Sequence, residues 1–542
     1  MEIMTSDHAT LIVGGRLVDG TGAPSVEMDV GFDGAKITGI HRPGTAKGSM
    51  TIDATGRIVC PGFIDIHTHS DISLLGCPLA ESKIRQGVTT EVVGNCGGSA
   101  APLIGLAKEM MTDFATDFSV NVDWVTMDEY LLRLQNLRTS VNVATLVGAD
   151  TVRSGVIGPD DVSPTDSQLE EMKELIAEAI VQGAFGLSSG LIYAPGCYAT
   201  TEELIALAST SGALGGIYAS HIRGEGSTLL KSVAEAITIG REVRLRVQIS
   251  HHKATGKENW GLVAESIRMV EDARNQGIDV AFDVYPYTVS CTNLSAILPP
   301  WVHDGGRSAI LDRLADPKAR ARIRGDFSKR DVAWENTVGD NSWDNIEVGG
   351  FKKPANRCYD HMRVNEIASK MGKDASDAVF DLLIDEGLDI TAFFHEMSED
   401  DVVRVIKHPL SSIASDGEVS APYGPLADIA EHPRAYGTFP RAIRRYVIDK
   451  HVVSIEEMIR KMTSSPAQRL GITDRGMIRE GMMADVVVFD PLTIRDRATL
   501  AHAHQYSEGI TEVFVNGTLT IQSGEHLKER AGIVLRKPPT IS

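Results

Sequence analysis

Six side chains able to do metal chemistry stand at the ends of apolar runs in this 542-residue chain. They are His67 and His69 in PGFIDIHTHSD, Cys96 in VGNCGG, His221 in YASHIRGE, His251 in QISHHKATG and Asp416 in IASDGE. Residues two apart in an extended segment point the same way, so His67 and His69 can face one ion. The glycines around Cys96 let the backbone turn and leave its thiol exposed. Imidazole and thiolate donors favour zinc over magnesium or calcium. A zinc held by Cys96, His221 and His251 would keep an open position for water, and His67 with His69 would hold a second ion bridged through the Cys96 thiolate. Zinc lowers the pKa of water to about 7 and polarises a carbonyl. Asp416 would then take the proton of the attacking water and pass it to the leaving nitrogen. The expected chemistry is metal-assisted hydrolysis of an amide-like bond. Taken singly, each residue has a blander explanation. A buried Cys is usually a small hydrophobe, and an Asp before Gly is usually a turn. It is their coincidence at strand ends that points to a site.

Such residues need a scaffold that brings distant strand ends to one rim. Between about 58 and 470, short apolar runs alternate with amphipathic helices, the pattern of βα units and a parallel sheet. Strands are expected at 58–67, 88–95, 141–149, 184–190, 216–221, 244–250, 279–286 and 411–416. Eight such units fit an α/β fold, a TIM-like (β/α)8 metallo-barrel, whose chemistry sits at the C-terminal ends of its strands. Helix starts are marked by Thr165 with Gln168, Thr200 with Glu203 and Ser454 with Glu457. In the first of these helices Leu169, Met172, Leu175, Ile176, Ala179 and Ile180 form one apolar face. The connection between the seventh and eighth strands is too long for an ordinary loop, so a lid-like subdomain inserted at about 290–350 is expected over the mouth. Gly-broken β-rich runs occur near the start (ATLIVGGRLVDG, VEMDVGFDGAKITGI) and near the end (ADVVVFDP, TEVFVNGTLTIQSGE). These should pair into one small β-sandwich built from both chain ends, residues 1–60 and 471–542, around a barrel over 61–470.

Composition narrows the function classes. The chain has 53 basic and 73 acidic residues, a formal charge of −20 with no run of like sign. That balance argues against a groove tracking nucleic-acid phosphates. Cys60, Cys77, Cys96, Cys197, Cys291 and Cys358 are scattered without a CxxC pair, so no disulfide framework is expected. MEIMTSDHAT lacks the basic and apolar regions of a secretory signal, and nowhere do about 18 apolar residues run together. The expectations are a cytoplasmic protein with a small-molecule substrate, no nucleic acid and no membrane. A homo-oligomeric state is left open.

With these residues in place, the sequence resembles the amidohydrolase superfamily and, within it, the N-acyl-D-amino-acid deacylases (D-aminoacylases). HxH at the first strand, single histidines at the fifth and sixth and Asp at the eighth carry the wider resemblance. GNCGGSAAP, GLSSGLIYAPG, ASHIRGE, QISHHKATG, DVYPYT, SDGE with HPRAYGTFPR, and SPAQRLGITDRGMIREGMMADVVVFDP carry the narrower one, in order over most of 58–490. Many relatives bridge two metals with a carboxylated lysine on the fourth strand; here that strand reads GAFGLSSG and offers none. The resemblance implies zinc, one ion tightly bound and room for a second, at His67, His69, Cys96, His221 and His251. It implies an acid/base at Asp416 and a substrate-carboxylate anchor at Arg434, completed by Lys253, Tyr285 and Tyr193. Tyr285 and Tyr287 compete for one role, and spacing does not choose between them. Three departures stand out: the long stretch GEVSAPYGPLADIAE after Asp416, VGAD at the third strand, and Cys291 where serine is common. The implied reaction turns an N-acyl-D-amino acid into a carboxylate and a free D-amino acid. Its rivals are hydrolysis of a cyclic amide, as in hydantoinase and dihydroorotase relatives, and a barrel that has lost catalysis and serves as a scaffold.

Overall fold

The computed structural model describes residues 7–329 and 332–538. Eight short, apolar-rich segments form the barrel strands. They are β1 (Phe63–Asp65), β2 (Val88–Val93), β3 (Asn142–Thr145, resuming as Val147–Gly148) and β4 (Gly186–Gly190), then β5 (Ile217–His221), β6 (Arg246–Ile249), β7 (Val280–Val284) and β8 (Ser411–Ile413). Every residue in them except Arg246 is buried, as a parallel sheet covered on both faces requires. All neighbouring strands pair in parallel; β1 to β3 form one sheet and the second half of β3 through β8 another. The last strand meets the first just beyond their ends. There, a parallel bridge joins Thr68 to Gly417, the Asp416 N–H donates to the His67 carbonyl (2.9 Å), and the His69 N–H donates to the Gly417 carbonyl (3.1 Å).

The apolar run at 58–67 is two strands rather than one. Ile58–Pro61 pairs with Arg16–Leu17 and, antiparallel, with Val486–Phe489. Gly62 then hands the chain to β1, at a point where a Cβ would sit 2.2 Å from the Thr89 hydroxyl. The sandwich thus shares its sheet between both chain ends. A seven-stranded sheet mixes segments from residues 16–61 with others from 486–526 and faces a four-stranded sheet from residues 8–53. Val30, Phe32 and Ile37 from one end pack against Val486, Val488 and Phe514 from the other.

Between β7 and β8 the chain builds an antiparallel sheet of its own from Val289–Asn293, Ile346–Gly349, Met362–Arg363 and Thr391–His395. This insertion continues past residue 350. Its strand Thr391–His395 lies inside the sheet, and the helices Val364–Met371 and Ala375–Asp385 complete its separate core with Ile367, Val379, Phe380 and Leu383. Thr165 and Gln168 cap the helix Asp166–Val181 reciprocally. Thr200 and Ser454 accept from the Glu203 and Glu457 N–H groups, but those carboxylates bind Arg153 and Arg460 instead of returning to the cap. No helix among the described residues is long and apolar enough to cross a membrane.

Candidate metal centre and its cavity

The six sequence-selected residues meet at the rim where the strands end. Three of them adopt left-handed backbone angles without being glycine: Cys96 (φ +50°), His251 (φ +35°) and Asp416 (φ +51°). Such conformations cost on the order of 1–3 kcal/mol each and persist only where surroundings impose them. The His251 N–H is held by Asp283 Oδ1 at 2.8 Å, and the Asp416 N–H by the His67 carbonyl. The Gly97 N–H, next to Cys96, donates to the Ser188 hydroxyl at 3.1 Å. Gly190, ending β4, leaves room for this turn, since a Cβ there would lie 2.1 Å from the Cys96 carbonyl oxygen.

Cys96 is the common member of two donor sets. His67, His69, Cys96 and Asp416 form one and Cys96, His221 and His251 the other, each with its ligand atoms within 4.8 Å of one another. Cys96 Sγ lies 3.3 Å from His67 Nε2 and 3.5 Å from His251 Nε2. Asp416 Oδ1 lies 3.0 Å from His69 Nε2 and 3.2 Å from His67 Nε2. Both ring nitrogens of His221 are buried with no hydrogen-bond partner among the described residues, an arrangement that costs free energy unless another group uses them. A thiol among three imidazoles, with one of those imidazoles otherwise unpartnered, fits zinc. Carboxylates orient the rings from behind: Glu225 Oε1 is 3.0 Å from His251 Nδ1, and Asp283 Oδ1 is 3.4 Å from His67 Nδ1. Burial opposes ionisation of Cys96, but the charges of His67 and His251 outweigh it and hold the thiol well below its ordinary range. For Asp416, burial is likewise outweighed, first by Arg434 and then by His251 and His67, so its carboxyl group stays ionised. His252 belongs to neither set; its Nε2 lies 2.8 Å from the Ser266 hydroxyl.

Arg434 opens the helix Arg434–Arg441 and is only 7% exposed. Its Nη1 donates to Asp416 Oδ2 at 2.6 Å, its Nη2 to the Cys291 carbonyl at 3.2 Å, and its guanidinium carbon lies 5.2 Å from the centre of the Tyr285 ring. Lys253 donates to both oxygens of Glu225, at 2.7 and 2.8 Å. The Tyr193 hydroxyl lies 3.1 Å from that of Thr292. All four residues, Arg434, Lys253, Tyr193 and Tyr285, line a cavity of about 520 Å³ with His69, Cys96, His221, His251 and Asp416. Tyr287 is buried beneath it, donating to the Pro433 carbonyl at 3.3 Å, so of the two competing tyrosines only Tyr285 reaches the cavity.

The sequence profile of the amidohydrolase family matches residues 50–323 and 372–521. The chain is 34% identical to the D-aminoacylase of Alcaligenes xylosoxydans xylosoxydans, covering 97% of each chain. The chain belongs to the amidohydrolase family. It is also 33% identical to the N-acyl-D-glutamate deacylase of the same organism, covering 98% of this chain and 97% of the relative. Among solved structures it superposes with a TM-score of 0.81, at 32% identity, on an N-acyl-D-glutamate deacylase from Bordetella bronchiseptica complexed with zinc and a phosphonate mimic of the tetrahedral intermediate. That match covers 98% of this chain and all of the other.

Several further residues serve the centre of this amidohydrolase without being singled out by type or spacing. Glu225 and Asp283, which lie within ASHIRGE and DVYPYT, orient imidazoles. Lys83 is fully buried beneath the rim: its Nζ donates to Ser415 Oγ (2.7 Å), the Gly417 carbonyl (3.0 Å) and Asp65 Oδ2 (3.2 Å), and lies 3.3 Å from Glu91. It pins the turn that presents Asp416. Replacing Lys83 by methionine would leave two buried carboxylates without their cation, and denaturant unfolding is expected to show a loss of about 3–5 kcal/mol. The cavity wall also carries Glu335, Glu396, Glu418 and Glu431. Burial pushes Glu396 up to about 8 and Glu431 up to about 7. Burial and then the Glu431 charge push Glu418 up to about 8.

Proposed function

We propose that this amidohydrolase cleaves the amide bond of N-acyl-D-amino acids, giving a carboxylate and a free D-amino acid. The observation that carries the reading is the shared Cys96 thiol, set between two groups of imidazoles with the Asp416 carboxylate at the same point and a buried guanidinium beside it. Zinc would be held by Cys96, His221 and His251, with His67 and His69 toward a second ion; when bound, it polarises the scissile carbonyl and makes water more acidic. The rest falls to side chains of the chain itself. Asp416, kept ionised by Arg434, accepts a proton from the attacking water through Oδ1. It returns that proton to the amide nitrogen as the C–N bond breaks, so that an amine leaves and a carboxylate remains. Arg434 presents a planar fork suited to the substrate α-carboxylate, which would share the guanidinium with Asp416. Lys253, held by Glu225, and the Tyr285 and Tyr193 rings border the space around that carboxylate.

The preference for the D-enantiomer rests on the likeness to D-aminoacylase and the D-glutamate deacylases. A cytoplasmic location fits six cysteines that are all free. Rates on paired N-acetyl-D- and N-acetyl-L-amino acids, with zinc supplied, test the proposal. Hydrolysis of the D-series alone is the expected result. Equal rates on both series would remove the stereochemical claim, and faster turnover of hydantoins or dihydropyrimidines would move the substrate to cyclic amides.

A further inference from the structure

The cavity holds more carboxyl groups than its chemistry uses. Its two permanent cations are already matched: Arg434 by Asp416 at 2.6 Å, and Lys253 by Glu225 at 2.7 Å. Glu335, Glu396, Glu418 and Glu431 remain on the wall, and none of them has a cationic partner within ion-pair distance among the described residues. Neutral donors serve some of these oxygens. The Ser290 hydroxyl donates to Glu396 at 2.5 Å, Glu335 accepts from the Glu225 N–H at 2.6 Å and the Thr255 hydroxyl at 3.0 Å, and Glu431 Oε1 accepts from the His432 N–H at 2.8 Å. Glu431 Oε2 is different. The residue is 9% exposed, lines the cavity, and leaves this oxygen buried with no hydrogen-bond partner among the described residues. A buried carboxylate oxygen without a donor is costly unless a ligand completes it.

Glu418 follows Asp416 by two residues, Glu431 precedes Arg434 by three, and both line the same cavity as the Asp416–Arg434 pair. In the reading above, that pair receives the reacting amide on one side and the α-carboxylate on the other. The amino-acid side chain, attached to the carbon between them, then extends along a wall bearing Glu418 and Glu431, with Glu396 and Glu335 supplied by the insertion side of the cavity.

We propose that the cavity selects N-acyl-D-amino acids with a cationic side chain, the D-lysine, D-arginine and D-ornithine class, by seating the ammonium or guanidinium group against Glu431 and Glu418. This rests on the hydrolytic reading of the same site. An anionic side chain, such as that of D-glutamate, would meet a wall of carboxyl groups with both cations already engaged and no cation left to pair it, whereas an ammonium or guanidinium would be received by those carboxyls as they ionise.

The test is a panel of N-acetyl-D-lysine, -arginine, -leucine and -glutamate on the zinc-supplied enzyme, with calorimetric binding of free D-lysine and D-glutamate to the same protein. A hydrogen bond to a charged group contributes enough for the cationic substrates to exceed leucine in kcat/KM by about 10-fold or more and glutamate by about 100-fold or more. In Glu431→Gln and Glu418→Gln the lysine-to-leucine ratio should fall by about 10-fold, on the same basis. D-lysine should bind more tightly than D-glutamate. Leucine or glutamate as the best substrate, or a ratio unmoved in both variants, overturns the charge selection and leaves the deacylase reading intact. No hydrolysis of any member together with tighter D-lysine binding overturns the deacylase reading and keeps the charge selection. No hydrolysis with D-glutamate binding as tightly as D-lysine overturns both.

Discussion

Asp416→Asn should lower kcat by at least about 10²-fold, the lower end for loss of a general acid/base, while the protein still binds zinc at Cys96, His221 and His251. Asparagine keeps the shape that fits between His67, His69 and Arg434, but it cannot take a proton from water at Oδ1, the oxygen 3.0 Å from His69 Nε2. Steady-state kinetics paired with elemental analysis separates the roles. Retained zinc with collapsed turnover assigns Asp416 to proton transfer. A rate near that of the parent would show that another group moves the proton. Loss of all metal would show Asp416 to be chiefly a ligand.

Cys96→Ala has a larger expected effect, because one atom belongs to both donor sets. Changes behind a metal ligand cost about 10–100-fold in metal affinity, so removing the shared ligand itself should cost more than that and take activity with it. Equilibrium dialysis against a competing chelator measures the first quantity, and a hydrolysis assay the second. Zinc affinity preserved in the alanine variant would dissolve the centre as described. Alanine is also the informative choice for the backbone: at φ +50° it bears the same left-handed strain as cysteine, so the comparison isolates the thiol.

Much of this arrangement could be read along the chain. Each of the eight expected barrel segments contains a strand, and runs such as VTTEVV and VAFDV, rich in β-branched residues, are buried along their whole length. The Gly/Asp-broken runs at both ends announced turns and short strands, and two such β-rich sets flanking an α/β middle made their pairing the expectation. The metal donors were legible because strand ends are few and soft donors at them fewer. What stayed hidden depends on distance in sequence. Glu225 reaches His251, and Asp283 reaches His67, only through the curvature of the barrel, so ASHIRGE and DVYPYT contain them without showing what they touch. Nothing in the local context of HPRAYG marks Arg434, whose role came from the resemblance alone; its burial against Asp416 and the Cys291 carbonyl is a property of the insertion and the last strand together. The insertion's reach to His395 was concealed because its closing strand, TAFFH, is a short apolar run whose sequence does not say which sheet it joins.

The shared sheet of the two chain ends bears on how the protein is made. Ile58–Pro61 is synthesised about 425 residues before Val486–Phe489, to which it is hydrogen-bonded in the finished molecule. Throughout translation of the intervening segments that ribbon presents an unsatisfied apolar edge, the kind of surface on which nascent chains stick to one another. Gly62 is all that separates it from the strand leading to His67. Pairing of these two strands therefore waits until the later one has been made, and the open edge of Ile58–Pro61 is where chaperone cover during elongation would act.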